Sequence, residues 1–206
     1  LFRAESNGPQ KDNKLTPRIA ETARALAAVY VGLSLLCALA YWVGGMSLFD
    51  AICHAMSTTA TGGFSTHDAS FGYWNSPLIE GIAVVFMLLG GINFGMHWYA
   101  WRRATVSHYQ SDAELFAYLM IALAATGLLF FSLWWGDAFG SPGESLRHAA
   151  FQAVSSLTTT GFVTTGYSEW PGMAPLLLLL LGFVGGCAGS TSGGMKVARL
   201  QMVVRQ

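Results

Sequence analysis

The sequence predicts an all-α polytopic membrane protein made of repeated units, each with a span, a re-entrant pore helix, a filter loop and a second span. The first supporting observation is composition: the 206 residues are 53% hydrophobic and 11% charged, whereas soluble domains carry about 25% charged residues. The second is the presence of apolar segments of about 20 residues, the length that a helix needs to cross a membrane. The third is an internal sequence repeat, which gives the chain two similar halves.

The chain begins with a polar segment at residues 1–22, which predicts a cytoplasmic connector. An apolar run follows at 25–44 and is long enough to cross a hydrocarbon core of about 30 Å. This run contains Tyr41-Trp42 close to its end, and such aromatic pairs are typical of membrane interfaces. It therefore predicts the first span of a repeat unit that covers residues 23–103.

Three further elements complete this unit. Residues 47–57 form an apolar pattern that predicts a pore helix, too short to cross the membrane and of the length seen in re-entrant segments. A Thr- and Gly-rich segment follows at 58–66, which we call loop A. A second span is predicted at 77–101, and a short polar link at 104–112 is predicted to lie on the cytoplasmic side.

The second half, residues 113–206, predicts another unit of the same kind. It contains a span at 113–135, a pore helix at 145–156 and a Thr-rich segment at 157–165, which we call loop B. The final apolar segment is interrupted at 185–194 by a run of small residues, which we call the Gly/Ser loop. Because both halves present the same elements in the same order, one architecture is expected for both.

A fixed offset of 98 residues relates the two halves. It superimposes the Ser-Leu-x-x-Ala-x-x-x-Ala-x-Ser pattern of 47–57 on that of 145–155. The Gly pair at 90–91 aligns with that at 185–186 after a gap of three residues. Chance does not explain such an ordered set of matches. The matched loop positions are Thr61 and Thr159, Gly63 and Gly161, Phe64 and Phe162, and Thr66 and Thr164.

The positive charges predict the orientation in the membrane. Ten of the eleven basic residues lie in 1–24, 102–103 and 196–205, and Arg147 is the exception. Cytoplasmic segments carry the excess of Lys and Arg, so these three regions are predicted to face the cytoplasm. The pore helices and loops then open outward, where acidic residues would concentrate cations. Those acids are Asp68, Asp137, Glu144 and Glu169.

Loops A and B have the composition of an ion filter. Irregular backbone at membrane depth is tolerated where protein buries it or where it lines a water-filled cavity, and carbonyls in such a cavity can replace the hydration shell of an ion. Neither loop contains a carboxylate, so a calcium-type site is not predicted. One such loop alone could be a packed polar kink, but duplication together with the preceding helix favours a filter.

The motifs resemble those of the Trk/Ktr/HKT potassium transporter superfamily. Residues 57–68, STTATGGFSTHD, and 158–162, TTTGF, are similar to the filters of that superfamily. Residues 186–196, GCAGSTSGGMK, are similar to the Gly/Ser-rich break of its TrkH-type members. The resemblance covers essentially the whole chain and matches the second and third of four repeats.

The resemblance implies that potassium is the substrate, that no cofactor is bound covalently, and that the Gly/Ser loop gates the pore. It implies backbone carbonyl ligands from Thr61, Gly62, Gly63, Thr159, Thr160 and Gly161. It also implies a multi-pass protein of the bacterial inner membrane with lipid bilayer contacts. Expected partners are the first and fourth repeats of the parent chain, a second copy in a homodimer and a cytoplasmic nucleotide-binding regulatory subunit, but no nucleic acid. The implied gate residues are Gly186, Gly189, Ser190, Thr191, Ser192, Gly193 and Gly194.

Two other functions remain open at the level of sequence. One is a sodium-selective or sodium-coupled transporter of the same superfamily, because neither filter has the two-Gly pattern of a true potassium channel. The other is an intramembrane serine hydrolase that uses Ser190 or Ser192 with His97. The GxSxG motif of hydrolases is absent, since Thr191 occupies its central position, and the phosphate-loop motif fails as well.

The Gly/Ser loop has a second structural interpretation, and four nearby polar residues are also ambiguous. Gly residues at 185, 189 and 193 are four apart and could form a close helix-packing face. His97 could face the pore or be satisfied by packing, and Asn93 could hydrogen-bond across helices. Lys196 and Arg199 could contact the Gly/Ser loop or a regulator, or extend to the inner leaflet. His54 and His148 lack further ligands in sequence and predict no metal site.

Overall fold

The computed structural model describes residues 19–105, 107–110 and 112–205, and all regular secondary structure within them is helical, as the sequence predicts. Most of the predicted connector at 1–22, and residues 106 and 111 of the predicted link, lie outside the described residues. A short 3-10 helix lies at Ser70–Tyr73. The α-helices are α1 (Ile19–Val43), α2 (Leu48–Thr59), α3 (Pro77–Gly90), α4 (Phe94–Arg103), α5 (Ser107–Gln110), α6 (Ala113–Trp135), α7 (Pro142–Leu157), α8 (Ala174–Val184) and α9 (Val197–Arg205).

Among the described residues, α1 and α6 are the helices that are long and apolar enough to cross a membrane unbroken. Their apolar stretches, Ala20–Val43 and Ala113–Trp135, contain 24 and 23 residues and match the predicted first and third spans. Large apolar side chains are exposed along both helices, as expected for surfaces that face lipid tails. These features make the chain a membrane protein. The exposed side chains include Leu35, Leu36, Leu39, Leu123, Leu128 and Phe131.

The second span, predicted as one apolar segment at 77–101, is broken in the structure. It consists of α3 and α4, which are bent by 95° relative to each other. The helix ends at Gly90, and Asn93 caps the start of α4, because its Oδ1 accepts the N–H of Gly95 at 2.7 Å. The fourth span breaks at the aligned Gly pair 185–186, where α8 ends. The similarity between the two halves therefore includes the position at which the last span of each half is broken.

The two breaks hydrogen-bond to each other. The carbonyl of Gly91 accepts the N–H of Cys187 at 2.8 Å, and the carbonyl of Gly189 accepts the N–H of Phe94 at 3.0 Å. An unpaired backbone group costs several kcal/mol in hydrocarbon, so irregular backbone at this depth requires partners within the protein. Each broken span supplies partners for the other.

Helices α2 and α7, which the sequence predicts as pore helices, begin at serine caps. Ser47 Oγ accepts the N–H of Asp50 at 3.1 Å, and Ser141 Oγ accepts the N–H of Glu144 at 3.2 Å. Serine is a favoured N-cap because it satisfies one of the free N–H groups of the first turn. Helix α7 starts one turn earlier than predicted, since Ser141 is followed by Pro142, a residue well suited to the first helical position.

Buried aromatic side chains join the two halves. Phe71, in the 3-10 helix of the first half, is completely buried. Its ring centroid lies 4.6 Å from that of Phe162 and 5.3 Å from that of Phe151, both in the second half. Aromatic pairs at these separations stabilise a fold beyond the area they bury. The halves therefore share one core, and a second apolar cluster fills the space between α6, α7 and α8.

The three cysteines are free thiols. Because the sequence contains no CxxC motif and no metal-ligand spacing, it predicts that all three are small buried residues. Cys37 and Cys187 are buried, which confirms this prediction at these positions. Cys53 is only half-buried, so that prediction is wrong there. It lies on the same face of α2 as Phe49 and Met56, which are exposed, and this helix face is uncovered within the described residues.

An ion pair between a buried carboxylate and a partly buried guanidinium also joins the halves. The Nε of Arg147 donates to Glu80 Oε2 at 2.7 Å, and its Nη2 donates to Glu80 Oε1 at 2.5 Å. The same Nη2 donates to Asn75 Oδ1 at 2.7 Å. Glu80 is only 2% exposed. This contact links α7 to α3 and gives a structural reason for the single basic residue predicted on the outer side.

Candidate ion pathway

Loops A and B repeat the same backbone conformation at the offset of 98 residues. Thr61 and Thr159 have φ angles of 51° and 56°, and Gly63 and Gly161 have φ angles of 71° and 87°. A β-branched residue with positive φ is a true outlier, and such conformations persist only where the surrounding structure enforces them. Two threonines held in the same rare conformation indicate that both loops are built for the same geometry.

The same hydrogen bonds close the ends of α2 and α7. The N–H of Gly62 donates to Ser57 O at 2.8 Å, and the N–H of Thr160 donates to Ser155 O at 2.9 Å. The loop N–H groups thus turn back toward the helices. Among the described residues, the carbonyl oxygens of 61–63 and 159–161 accept no hydrogen bond. These six oxygens, the ligands predicted from the sequence, are available to a cation.

The two loops lie against each other at Gly63. A Cβ atom at this position would overlap the carbonyl of Thr160 and lie 3.4 Å from the carbonyl carbon of Gly161. Gly63 therefore combines a left-handed φ with a close approach of two backbones, and only glycine meets both requirements. A Cβ at Gly161 would meet nothing within 4 Å. The structure thus brings the predicted ligands of both loops together.

Each loop is clamped to the first half of its pore helix. Thr66 Oγ1 donates to Asp50 Oδ1 at 2.6 Å, and Thr164 Oγ1 bonds with His148 Nδ1 at 2.9 Å. Asp50 and His148 are also 98 residues apart, so the clamps are equivalent although their chemistry differs. The hydroxyls of Thr66 and Ser47 lower the pKa of Asp50, because both donate to its charged form.

We expect the substitution Thr164→Val to lower the free energy of unfolding by about 1–3 kcal/mol, because it leaves a buried His148 nitrogen without its partner. Thr165→Val is the matched control: the hydroxyl of Thr165 is buried and has no hydrogen-bond partner in the part of the chain that the structure describes. Thermal unfolding of the purified full-length protein measures both variants. Equal midpoints for the two would contradict a stabilising clamp.

The two loops differ in their surroundings. Ser155 Oγ donates to Phe162 O at 2.7 Å, and Phe162 is buried in the shared core. At the equivalent positions, Ser57 Oγ is buried without a partner among the described residues, and Phe64 is 81% exposed. Loop B is therefore covered by the first half of the chain, whereas the corresponding side of loop A is open.

The Gly/Ser loop lies directly beside both loops. Thr191 Oγ1 donates to Thr59 O, at the end of α2, at 2.9 Å. The N–H of Gly193 donates to Thr159 Oγ1, in loop B, at 2.7 Å. The structure thus brings the predicted gate residues into contact with the predicted filter residues. A close helix-packing face is wrong for this segment, because Gly185 and Gly189 have φ angles of 75° and 76°, which no right-handed helix contains.

Glu114 is a residue of this region that sequence reasoning missed. It lies in the first turn of α6 and is 8% exposed. Its Oε1 accepts the N–H of Ala188 at 2.6 Å and that of Ala198 at 3.2 Å. An acid in the first turn of a helix is expected from the helix dipole alone. The sequence therefore does not indicate that Glu114 also contacts the Gly/Ser loop.

The proposed hydrolase constellation is not assembled. His97 Nδ1 bonds with the Tyr109 hydroxyl at 2.7 Å, and its Nε2 bonds with Leu89 O at 2.9 Å. Both ring nitrogens are therefore occupied away from the serines, which agrees with the packing interpretation of His97. Ser190 Oγ donates to Cys187 O at 2.6 Å. A nucleophilic serine requires a base within hydrogen-bond reach, and the histidine predicted for this role does not contact it.

Comparison with known proteins identifies the family. The protein-family model TrkH, described as a cation transport protein, matches residues 1–206. The Trk system potassium uptake protein TrkH of Halomonas elongata is 49% identical over 209 residues, covering 100% of this chain and 42% of that protein. The protein of the same name from Escherichia coli strain K12 is 45% identical over 206 residues, covering 100% of this chain and 43% of its own.

A solved structure agrees with this result. The crystal structure of the potassium transporter TrkH from Vibrio parahaemolyticus matches with a TM-score of 0.88 and 46% sequence identity, over 92% of this chain and 41% of that one. The chain therefore spans about two-fifths of the length of the relatives it matches. These relatives are named as transporters, so the hydrolase alternative is wrong and the prediction that the chain is not an enzyme is confirmed. Together, the repeated loops, the broken spans and these similarities show that the chain belongs to the TrkH family of cation transport proteins.

Proposed function

We propose that this chain forms part of a potassium uptake protein of the bacterial inner membrane, in which loops A and B line a selectivity filter. The observation that carries this proposal is the pair of loops with the same unusual backbone, facing each other and presenting unbonded carbonyls. The ligands would be the carbonyl oxygens of residues 61–63 and 159–161. The names of the relatives, which are potassium uptake proteins and a potassium transporter, support potassium as the transported ion.

The chemistry of the two loops suits a monovalent cation. Carbonyl oxygens can replace the water that potassium loses on entry. The C-terminal ends of α2 and α7 lead into the loops, and the partial negative charge of a helix C-terminus favours a cation there. No carboxylate lies in either loop, so a divalent ion would lack the charged oxygen ligands that it prefers.

The Gly/Ser loop would act as the gate. Its contacts with Thr59 and Thr159 hold it beside both loops, so an ion leaving the filter toward the cytoplasm would meet this segment. Movement of the loop would require these hydrogen bonds to break, which couples the gate to the filter. Residues 185–194 also contain several glycines, which permit changes of backbone conformation that other residues resist.

Further repeats of the parent chain would complete the pore. Loops A and B would supply ligands on only one part of the ring of oxygens around an ion. The exposed Phe64 and the uncovered face of α2 lie where a neighbouring repeat would pack. By analogy with Phe162, Phe64 would enter the core of that repeat. A homodimer and a cytoplasmic nucleotide-binding regulatory subunit stay predictions from the resemblance.

The test uses the full-length gene product in a bacterial host without its own potassium uptake. We expect the wild-type protein to restore growth at low potassium and the Gly161→Ser variant to need about tenfold more potassium, since a non-glycine residue with positive φ costs about 1–2 kcal/mol. Because a Cβ at this position meets open space, the variant is expected to fold. Rescue that is unchanged by the substitution, or that requires sodium instead of potassium, would refute the proposed filter.

A further inference from the structure

The Gly/Ser loop is closed at its base. The chain leaves α8 at Val184 and enters α9 at Val197, where the N–H of Val197 donates to Gly186 O at 3.1 Å. The two ends of the loop are therefore adjacent, although the loop extends to the filter loops. Glu114 lies outside this base, and one of its oxygens, Oε1, accepts the N–H groups of both Ala188 and Ala198.

These two bonds are not needed to start α6. Asp112 already caps that helix, because its Oδ1 accepts the N–H of Glu114 at 2.8 Å and that of Leu115 at 2.9 Å. The Glu114 side chain instead leaves its own helix and reaches segments more than 70 positions later in the chain. A carboxylate with so little exposure needs compensating donors, since burying an unpaired charge is costly.

The two N–H groups that donate to Glu114 have no other acceptor supplied by regular helix structure. Ala198 lies in the first turn of α9, where N–H groups have no acceptor within the helix and where the helix dipole favours a negative charge. Ala188 lies in the irregular segment between α8 and α9. Hydrogen bonds to an ionised group are about twice as strong as those between neutral groups. The Glu114 carboxylate therefore ties the first part of the Gly/Ser loop and the first turn of α9 to the same oxygen atom.

We propose that Glu114 is a positioning residue that anchors the base of the Gly/Ser loop and so sets how readily the loop leaves the filter. This inference rests on the proposed gating function of that loop. The loop tip is held by Thr191 and Gly193, which bond to the filter region, and its middle by the backbone bonds to the break between α3 and α4 described above. Its base is held by Glu114. Swinging the loop aside tilts its base, and this motion breaks the bonds to the carboxylate.

The experiment compares Glu114→Ala and Glu114→Gln with wild type in the full-length protein. Glu21→Ala is the matched control, because Glu21 also lies in the first turn of a spanning helix but is exposed. The first measurement is the rate at which a water-soluble maleimide labels a cysteine introduced at Met195, a partly exposed residue of the loop base, with the native cysteines of the full-length protein replaced. The second is rubidium flux into proteoliposomes.

We expect Glu114→Ala to raise both the labelling rate and the flux by at least about tenfold, the change that loss of one charge-assisted hydrogen bond produces in an equilibrium. Glu114→Gln keeps a carbonyl acceptor but loses the charge, so a smaller rise is expected. Glu21→Ala should leave both quantities unchanged. If Glu114→Ala does not give folded protein by size-exclusion chromatography, Glu114→Gln carries the test.

The outcomes separate the two proposals. Labelling at the wild-type rate in the folded Glu114 variants would overturn the anchoring role, while potassium uptake by the wild-type protein would still support the filter. A rise in labelling with no change in flux would support the anchor but overturn the gating role proposed for the loop. A similar rise in labelling for Glu21→Ala would also overturn the inference, because any acid at a helix start would then have the same effect.

Discussion

Replacing Gly63 by Ala is expected to reduce potassium uptake at low external potassium by about 100-fold or more. The new Cβ would overlap the carbonyl of Thr160, which is one of the six proposed ligands, and would also force an L-residue into a φ of 71°. The conformational cost alone is about 1–2 kcal/mol, or roughly a tenfold effect, and displacement of a ligand adds to it. The substitution therefore combines backbone strain with direct damage to the neighbouring loop.

Gly62→Ala is the matched control for this prediction. Gly62 also supplies a proposed carbonyl ligand, but it does not have a positive φ, and a Cβ there would meet chiefly the exposed ring of Phe64, at 3.3 Å. That ring can move, so uptake should change less than threefold. Gly161→Ala should lie between the two, because it meets strain without overlap. Uptake is measured as rubidium entry into cells. If Gly62→Ala lowers it as much as Gly63→Ala does, the proposal of two facing loops is contradicted.

Replacing Glu80 by Ala is expected to lower the free energy of unfolding by about 3 kcal/mol, because it leaves the partly buried guanidinium of Arg147 without its carboxylate partner. Two hydrogen bonds to the carboxylate are lost at once. Since the pair links α3 of the first half to α7 of the second, we expect the halves to separate more readily. The midpoint of thermal unfolding of the purified full-length protein should fall by several degrees.

Glu144→Ala serves as the control for the ion pair. Glu144 is an exposed acid in the first turn of α7, one turn before Arg147, and exposed ion pairs contribute about 0–1 kcal/mol. Its removal should therefore shift the midpoint by about 2 °C or less. The double substitution Glu80→Ala with Arg147→Ala should be less destabilising than Glu80→Ala alone, because no charge is then left unpaired. A double variant that is less stable than Glu80→Ala would show that the cost is lost packing instead of an orphaned charge.

The two long apolar helices, the two short helices and the two loops could be predicted from the sequence because each depends on a strong local pattern that occurs twice. Helices α1 and α6 follow from their apolar length, and the two loops follow from the repeat. The break at 91–93 could not be predicted with the same security, since the apolar pattern continues through Gly90 into α4. Gly-Gly and Asn are weak signals alone. The bend depends on partners in the Gly/Ser loop, which lie almost 100 positions later in the chain.

The clamps on loops A and B show a different limit of sequence reasoning. The offset of 98 residues aligns His148 with Asp50 in the sequence repeat. A search for identical or similar residues overlooks this pair, because the two side chains have different chemistry. The equivalence lies in what they do: each fixes a threonine hydroxyl at the far end of its loop. Glu114 was missed for a related reason. A local motif explains its presence completely, whereas its contacts are set by the tertiary fold.

The mutual pairing of the two helix breaks has a consequence for biosynthesis. The carbonyl of Gly91 finds its partner in the N–H of Cys187, a residue that the ribosome adds much later. At about 5–20 residues per second, the delay is roughly 5–20 s. During this interval the backbone groups of Gly91 and Phe94 lack their final donor and acceptor. Water, lipid headgroups or the insertion machinery must satisfy these groups until the second half arrives, so membrane integration of the two repeats is completed jointly.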